Sequence, residues 1–262
     1  MAIARPPQPL DPDRYRTAAA HYEQGRVPYA PALIRRVAEV TGLAPQHRVL
    51  DLGCGPAPLA RLFAPLAREV VAMDPTPEML SAARALAGKI ENIEFVAGSS
   101  YDLDPALGRF HLVVMGRSFH WMDRVDTLKR LDRLVDPEGA VALFQDTAPA
   151  VPANAWRKVL HAICARYEPN EGAHRGSDWI GHEAILLDSP FARLERFSVV
   201  QRRPLDVETL VQRTLSMGST SPSYLGKKKT AAITAEIRTA LAGVREEVVE
   251  TSALVAWRSD LR

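Results

Sequence analysis

The chain has few cysteines, no long apolar run and no excess of charge of either sign. Its two cysteines, Cys54 and Cys164, form no CxxC pair, and neither histidines nor carboxylates cluster at metal-ligand spacing. We therefore expect no zinc site, no redox motif and no other metal site. No run approaches the roughly 18 apolar residues that a membrane-spanning helix needs, so we expect no membrane association.

The balance of charge also excludes a class of partner. Lysine and arginine number 33 and aspartate and glutamate 31, which leaves a formal net charge of +2. Proteins that bind nucleic acid usually carry a basic face or stripe, so we expect no nucleic-acid partner. The N-terminal residues lack the apolar stretch of a signal peptide, and we expect a cytoplasmic protein. We expect a single domain over residues 1–262.

Short β-branched runs alternate with helical patterns over the first half of the chain. A helical pattern covers residues 15–41. Strands are then predicted at 47–52, 69–74, 93–98, 110–116 and 139–145, and helices at 56–67, 77–87 and 126–136. Strands that alternate with helices of this length predict a doubly wound α/β fold, in which helices cover both faces of a parallel sheet.

The regular alternation stops after residue 145. Residues 147–190 combine helices and loops, and they carry several aromatic and histidine side chains. Further on, a strand is predicted at 191–201, helices at 206–216 and 229–241 with a polar loop between them, and a last strand at 246–259. The predicted sheet thus has about seven strands, and residues 191–262 complete it.

Four residues mark where a ligand of such a sheet is expected. Parallel α/β sheets bind ligands beyond the carboxyl ends of their strands. Gly53, Asp74, Gly98 and Gly116 each stand at or just past the end of a predicted strand. We therefore expect the site beside these four residues.

A glycine turn follows the first of these strands, in the segment VLDLGCGPAP (49–58). Glycine at Gly53 and Gly55 permits positive φ and lets a ligand approach the backbone closely. A helix is predicted to begin near Pro56, and the positive end of its dipole would face that ligand.

The identity of that ligand depends on Asp51 and Pro58. The dinucleotide fingerprint GxGxxG needs a third glycine or alanine where this chain has Pro58. An acid just before the turn, Asp51, would repel a pyrophosphate but suits the amino end of an amino acid. The charge therefore favours S-adenosylmethionine over NAD.

Asp74 ends the second predicted strand. A carboxylate there can accept hydrogen bonds from the two hydroxyls of a ribose. It can also cap the helix that follows, and both roles are compatible. We expect ribose binding.

Taken together, these segments resemble the class I S-adenosylmethionine-dependent methyltransferases that act on small molecules. The matching stretches are HYEQGRVPYAPALI (21–34), VLDLGCGPAP, VVAMDPTPEML (70–80), EFVAGSSYDL (94–103) and FHLVVMGRSFHWMD (110–123). The resemblance implies a Rossmann-like sheet, mostly parallel with an antiparallel last strand. It also implies a cofactor-binding core over 15–145 and S-adenosylmethionine as the cofactor.

The resemblance assigns a part of the cofactor to each motif. Asp51 would hold the methionine amino group, with Gly53 and Gly55 lining that moiety, and Asp74 would bind the ribose. Pro75, Thr76 and Met79 would pack near the adenine, and Ser99, Ser100 and Tyr101 would contact it. Tyr22 and Arg26 would cap the cofactor, and Arg26 would meet the methionine carboxylate.

The chain departs from the family pattern at two positions. The family usually has a third glycine where Ala57 stands, and we expect this small residue to preserve binding. Its adenine-contacting stretch often begins Gly-Asp, whereas this chain has Gly98-Ser99. Serine cannot offer the adenine amine the same charged acceptor.

The segment GRSFHW (116–121) implies where the reaction occurs, since this loop, including Gly116, faces the transferred methyl group in the family. It lacks the Asn-Pro-Pro-Tyr type of sequence that adenine and glutamine N-methyltransferases carry, which argues against nucleobase and amide acceptors. His120 is the candidate general base, because imidazole titrates near neutral pH. The alternative is a structural His-Trp pair, with Trp121 packed under the cofactor.

Residues 147–190 are the candidate substrate cap. Their aromatic and histidine side chains could line a cavity for a small molecule, or pack as an ordinary helical layer. These side chains are Trp156, His161, Tyr167, Trp179 and His182.

The sequence thus predicts methyl transfer to an O, N or C atom of a small molecule. Three alternatives stay open at this point. A protein of the same fold could bind S-adenosylmethionine and catalyse a different reaction such as cyclisation, or bind it without catalysis as a partner of another subunit. An NAD-dependent oxidoreductase is the third, which Asp51 and Pro58 disfavour.

Overall fold

The predicted strands lie side by side in one sheet. The computed structural model describes residues 17–167 and 180–259. Within these residues the sheet has seven strands in the order β3-β2-β1-β4-β5-β7-β6. The strands are β1 Arg48–Leu52, β2 Glu69–Asp74, β3 Ile93–Ala97, β4 Phe110–Gly116, β5 Val135–Thr147, β6 Arg193–Pro204 and β7 Glu246–Trp257.

Strand direction agrees with the prediction. Strands β1 to β5 pair in parallel, and β7 pairs antiparallel with both β5 and β6. Strand β7 is therefore the one reversed strand of the described sheet. The chain order reverses at β1, where β2 lies on one side and β4 on the other, and such a switch point opens a crevice for a ligand.

Helices lie before, between and after the strands. The described α-helices are α1 Ala19–Gly25, α2 Pro31–Val40, α3 Pro58–Phe63, α4 Pro77–Ala87, α5 Arg124–Leu134, α6 Trp156–Tyr167, α7 His182–Leu187, α8 Val207–Leu215 and α9 Pro222–Ala240. Among these helices, none is long and apolar enough to cross a membrane.

The two faces of the sheet carry separate apolar cores. Along β1, Val49 packs into a core with helices α2, α3 and α4, and its neighbour Leu50 packs into a second core with α5 and α7. Successive side chains of a strand point to opposite faces, so a strand buried on both sides is apolar on both. This explains the apolar residues Val49, Leu50 and Leu52, among which Asp51 is a buried acid.

A third apolar cluster lies outside the two cores. It joins α6, α8 and α9 through Trp156, Leu160, Leu210 and Ile237 among others. Helix α7 instead packs against α5 and β6, in the second core. The two described helices of segment 147–190 therefore lie in different clusters, while residues 168–179, including Trp179, lie outside the described residues.

Several boundaries differ from the prediction. The pattern at 15–41 contains two helices, because the chain is extended at Arg26 and at Ala30, just before α2. Helix α3 begins at Pro58 instead of Pro56, and α9 begins at Pro222, inside the predicted loop, with a non-helical break at Gly226. Strand β5 extends to 135–147, because it pairs with β4 from Val135 and with β7 over 140–147. Strand β6 covers 193–204 and pairs with β7 along its whole length.

Candidate active site

The carboxyl ends of β1 and β2 are joined by the glycine turn. The backbone N–H of Gly53 donates to the carbonyl of Met73 at 2.8 Å, and the N–H of Gly55 donates to Oδ2 of Asp74 at 2.9 Å. Both glycines have positive φ, +69° and +56°. The turn therefore lies between the two acids that the sequence analysis selected.

Gly53 must be glycine because the loop after β4 packs against it. A Cβ atom added there would lie 2.6 Å from Cβ of Ser118. Ser118 is itself fixed, since its hydroxyl donates to the carbonyl of Leu52 at 2.8 Å. The loops after β1 and β4 are thus in direct contact, as the predicted clustering at the strand ends requires.

Ala57 explains the later start of α3. It has a left-handed conformation with φ of +59°, and the helix begins at the next residue, Pro58. A left-handed residue other than glycine costs about 1 kcal/mol. The chain thus tolerates alanine, at an energetic cost, in a backbone conformation that glycine would adopt freely.

Asp51 is a buried carboxylate with one oxygen engaged. Its Oδ2 accepts the N–H of Ala60 in α3 at 2.9 Å. Its Oδ1 has no hydrogen-bond partner among the described residues. Burial raises the pKa of Asp51 from 3.8 to about 7. An unpaired buried carboxylate oxygen is costly, and a cationic group placed beside it would relieve that cost.

Both carboxylate oxygens of Asp74 accept hydrogen bonds from backbone N–H groups. Oδ1 accepts the N–H of Thr76 at 2.9 Å, while Oδ2 accepts that of Gly55. Thr76, not Asp74, occupies the N-cap position of α4. Burial raises the pKa of Asp74. Each carboxylate oxygen has two lone pairs, so both retain capacity for a further donor such as a ribose hydroxyl.

The predicted adenine-contacting residues follow β2 and β3. Met79 is buried in α4, Pro75 and Ser99 are half-buried, Ser100 is buried, and Tyr101 is 56% exposed. Both the hydroxyl and the N–H of Ser99 donate to Oδ2 of Asp102 at 2.8 Å. These bonds lower the pKa of Asp102. An ionised carboxylate, which was not predicted from the sequence, therefore lies beside Ser99.

Tyr22 and Arg26 form one unit at the end of α1. The guanidinium carbon of Arg26 lies 5.0 Å from the ring centroid of Tyr22. Nη2 of Arg26 donates to the carbonyl of Ser216 at 2.9 Å. Its Nε is buried and finds no acceptor in the described part of the chain.

Arg117 and Tyr29 are site residues that sequence reasoning missed. Arg117 follows Gly116 and has φ of +59°, and its Nη1 contacts Oδ1 of Asp146 at 2.6 Å and the carbonyl of Val27 at 3.1 Å. Its guanidinium lies 4.7 Å from the ring centroid of Tyr29. Within residues 17–167 and 180–259, neither Nε of Arg117 nor the hydroxyl of Tyr29 has a hydrogen-bond partner.

Gly116 permits this arrangement. A Cβ atom there would lie 2.7 Å from the Tyr29 hydroxyl and 2.8 Å from a methyl group of Leu59. Tyr29 therefore lies directly over the carboxyl end of β4. Both residues fell within the segments that carry the resemblance, but no sequence signal reports a positive φ at an arginine or an isolated hydroxyl.

His120 lies half-buried in a short 3-10 helix, Phe119–Trp121, on the same loop as Ser118. Its ring centroid is 4.9 Å from that of Trp121. The structure thus places the His-Trp pair on the loop that contacts Gly53. The described residues contain no group of three or more His, Cys, Asp or Glu that could hold a metal ion.

Comparison with known proteins agrees with this geometry. Residues 49–139 match the family described as "Methyltransferase domain". An uncharacterized methyltransferase of Mycobacterium bovis is 26% identical over 214 residues, which are 81% of this chain and 80% of that protein. A malonyl-[acyl-carrier protein] O-methyltransferase of Enterobacter lignolyticus is 30% identical over 149 residues, 54% of this chain and 56% of the relative.

Solved structures share the fold. An S-adenosylmethionine-dependent methyltransferase of Thiobacillus denitrificans, in complex with S-adenosyl-L-homocysteine, aligns with a TM-score of 0.56 at 13% identity, over 93% of this chain and 97% of its own. One from Geobacter sulfurreducens with the same ligand has a TM-score of 0.55 at 14% identity, over 95% and 99%. The chain thus matches a methyltransferase domain over residues 49–139 and shares the fold of S-adenosylmethionine-dependent methyltransferases.

Proposed function

We propose that the enzyme transfers the methyl group of S-adenosylmethionine to an O, N or C nucleophile of a small molecule held over the carboxyl ends of β4 and β5. The observation that carries this proposal is the unpaired Oδ1 of Asp51, buried beside a glycine turn. A carboxylate in that position suits a cationic amino group and disfavours a pyrophosphate.

The residues around the turn fit the cofactor in both charge and shape. Asp51 would hold the amino group, Gly53 and Gly55 would let the methionine moiety lie against the backbone, and Asp74 would accept the ribose hydroxyls. Pro75 and Met79, with Ser99, Ser100 and Tyr101, would surround the adenine. Asp102 would supply a charged acceptor to the adenine amine from its place beside Ser99.

The N-terminal helix would close the site. Tyr22 and Arg26 belong to α1 and its end, and α1 packs along α8. The buried Nε of Arg26 would meet the methionine carboxylate, since an ionised acceptor satisfies a buried guanidinium donor best. The closure would exclude water from the reacting groups.

When bound, S-adenosylmethionine supplies a methyl group on a cationic sulfur, which a nucleophile can displace in line. The protein's own contribution is to align the acceptor, and proximity can contribute several kcal/mol, on the order of 7 to 11 in good cases. His120 would accept the acceptor's proton where the acceptor is a poorly acidic group. Tyr29 is no base, because burial raises the pKa of its hydroxyl far above the neutral range.

Segment 147–190 would contribute to the acceptor side mainly through α6. Trp156 begins this helix, is 8% exposed, and its indole Nε1 has no acceptor among the described residues. Arg157 follows within electrostatic range of Asp146. We therefore place the described part of the cap at the start of α6.

The test uses S-adenosylmethionine labelled in its methyl group and a metabolite extract freed of macromolecules. We expect label in a small-molecule product with the wild type and with Arg238→Gln, which removes only an exposed arginine paired with Glu208. Asp51→Ala should lose transfer at subsaturating cofactor. Label that enters only added protein or nucleic acid would contradict the small-molecule acceptor, and binding of the cofactor without any transfer would contradict catalysis.

A further inference from the structure

The acceptor side of the site carries more positive charge than its acids balance. Asp146 pairs with Arg117 at 2.6 Å, and both Arg117 and Arg26 lie against the ring of Tyr22. Arg157 lies within electrostatic range of Asp146 and Glu247. The neighbouring Arg213 is already satisfied by Glu247. Arg26, Arg117 and Arg157, which we call the cationic cluster, therefore carry more positive charge than Asp146 neutralises.

Two buried hydrogen-bond donors, on Arg117 and Tyr29, lack an acceptor; we call these two side chains the wall of the acceptor side. Nε of Arg117 and the hydroxyl of Tyr29 both have no hydrogen-bond partner within the described chain. The guanidinium of Arg117 stacks over the Tyr29 ring at 4.7 Å, so the two donors belong to one wall. Leaving such buried groups unsatisfied is costly, and a ligand that accepts from both would recover that cost.

The backbone of Arg117 has a strained conformation. Its φ of +59° is rare for a residue other than glycine. The bonds from Nη1 to Asp146 and to the carbonyl of Val27 fix its guanidinium. A strained residue whose position is this strongly determined is typical of functional sites.

We infer that the acceptor of this enzyme carries a carboxylate, bound by Nε–H of Arg117 and the hydroxyl of Tyr29; this inference rests on the proposed function. A carboxylate has two oxygens, which matches the two free donors. The positive charge of the cationic cluster attracts the carboxylate, and the bond to Asp146 holds the guanidinium of Arg117 in place. A phosphate would need more donors than this wall offers.

The position of Arg117 separates this role from cofactor binding. It follows β4 and reaches toward the end of β5, whereas Asp74 and the proposed ribose and adenine contacts follow β2 and β3. Arg26, which also lies against the Tyr22 ring, remains the partner proposed for the methionine carboxylate. The two arginines lie 5.0 and 5.7 Å from the centroid of that ring.

The experiment measures binding of matched probes to the protein saturated with S-adenosylhomocysteine. The probes are two matched pairs, phenylacetate with phenylacetamide and hexanoate with hexanamide. Their binding is measured by ligand-observed NMR titration. We expect the carboxylates to bind at least tenfold more tightly than the amides. Saturation with S-adenosylhomocysteine is measured first; a protein that does not bind it fails the proposed function, whereas a bound complex without carboxylate preference fails only this inference.

Variants separate recognition from structure. Arg117→Gln should abolish the preference for carboxylates and keep the affinity for S-adenosylhomocysteine, and Arg117→Asn repeats the test with a residue that adopts positive φ readily. Asp146→Asn should keep or strengthen carboxylate binding, because its amide oxygen can still accept from Nη1 of Arg117 while the competing negative charge is removed. Arg238→Gln, an equal change of charge far from the site, should change nothing.

Three results would overturn the inference. Equal binding of carboxylates and amides by the wild type would remove its basis. If Arg117→Gln and Asp146→Asn lost the same amount of carboxylate affinity, the ion pair between these two residues would be purely structural. If both Arg117 variants lost affinity for S-adenosylhomocysteine alone, Arg117 would be a cofactor-binding residue.

Discussion

Arg213 of α8 and Glu247 of β7 form a buried ion pair with two parallel hydrogen bonds, 2.7 and 2.8 Å long. Nε of Arg213 also donates to the carbonyl of Gly25, the last residue of α1, at 2.9 Å. Gly25 itself packs on the backbone of Arg213 so closely that a Cβ atom would lie 2.4 Å from its nitrogen. The pair thus fixes the helix end from which Arg26 extends.

Breaking this pair should destabilise the protein strongly. Glu247→Gln leaves Arg213 buried without its charge partner, and such losses cost about 3 to 5 kcal/mol. Urea unfolding should show that loss, while Glu208→Gln, which breaks the exposed pair with Arg238, should cost at most about 1 kcal/mol. The double variant Arg213→Met/Glu247→Leu should recover most of the stability. A cost below about 1 kcal/mol for Glu247→Gln would refute a structural role of the pair.

The two glycines of the turn should respond differently to alanine. Both have positive φ, so each substitution costs about 1 kcal/mol in the backbone. Gly53→Ala adds a clash with Ser118 and should cost about 1 to 3 kcal/mol more. At Gly55 nothing lies within 4 Å of the added Cβ atom, so Gly55→Ala should fold well and lose cofactor affinity. Thermal unfolding and calorimetric titration separate these effects; equal unfolding curves for the two variants would contradict the packing argument.

Cofactor affinity should fall below neutral pH. In the proposed site the cofactor's amino group meets the ionised carboxylate of Asp51, whose pKa burial raises to about 7, so affinity should decrease by up to tenfold for each pH unit below that value. Above about pH 8 the amino group of the ligand loses its own charge and affinity should decrease again. Titration calorimetry from pH 5 to 9 measures both limbs. Asp51→Asn should lack the acid limb, and an unchanged acid limb in that variant would assign it to another group.

The same raised pKa predicts the stability of the ligand-free protein. Between pH 4 and 7 the folded state keeps a proton on Asp51 that the unfolded chain has released, so stability should fall as pH rises through this window. The full effect is about 4 kcal/mol, from a pKa of about 7 against 3.8. Urea unfolding at pH 5 and pH 8 should show a larger decrease in the wild type than in Asp51→Asn, where only the raised pKa of Asp74 still contributes. A larger stability at pH 8 than at pH 5 in this comparison would contradict it.

The sequence predicted the sheet well, because its strands are marked locally. Arg48–Leu52, Glu69–Asp74 and Phe110–Gly116 carry apolar runs with a glycine or acid at the end, and a local pattern suffices to locate them. The turn residues Gly53 and Gly55 could be found in the same way. Helix boundaries were less accurate, since the left-handed Ala57 and the break at Gly226 depend on packing that no local pattern reports.

The acceptor side could not be predicted for a different reason. Arg117 contacts Asp146 and Val27, and Tyr29 lies over Gly116, so each contact joins positions far apart in the chain. Segment 147–190 was predicted as one cap, yet its two described helices pack in separate clusters, which depends on where α8 and α9 return. Only the folded chain brings these groups together.

The most direct test is calorimetric titration of the wild type and Asp74→Ala with S-adenosylmethionine and, in parallel, with NADH. Asp74 supports the turn through Gly55 and would accept the ribose hydroxyls, so its removal should lower affinity for S-adenosylmethionine at least tenfold, about 1.4 kcal/mol. Asp74→Asn, which keeps one acceptor oxygen, should lie between the two. We predict binding of S-adenosylmethionine by the wild type, its loss in Asp74→Ala and no binding of NADH. Binding of NADH alone, or equal affinity of both proteins for S-adenosylmethionine, would contradict the account.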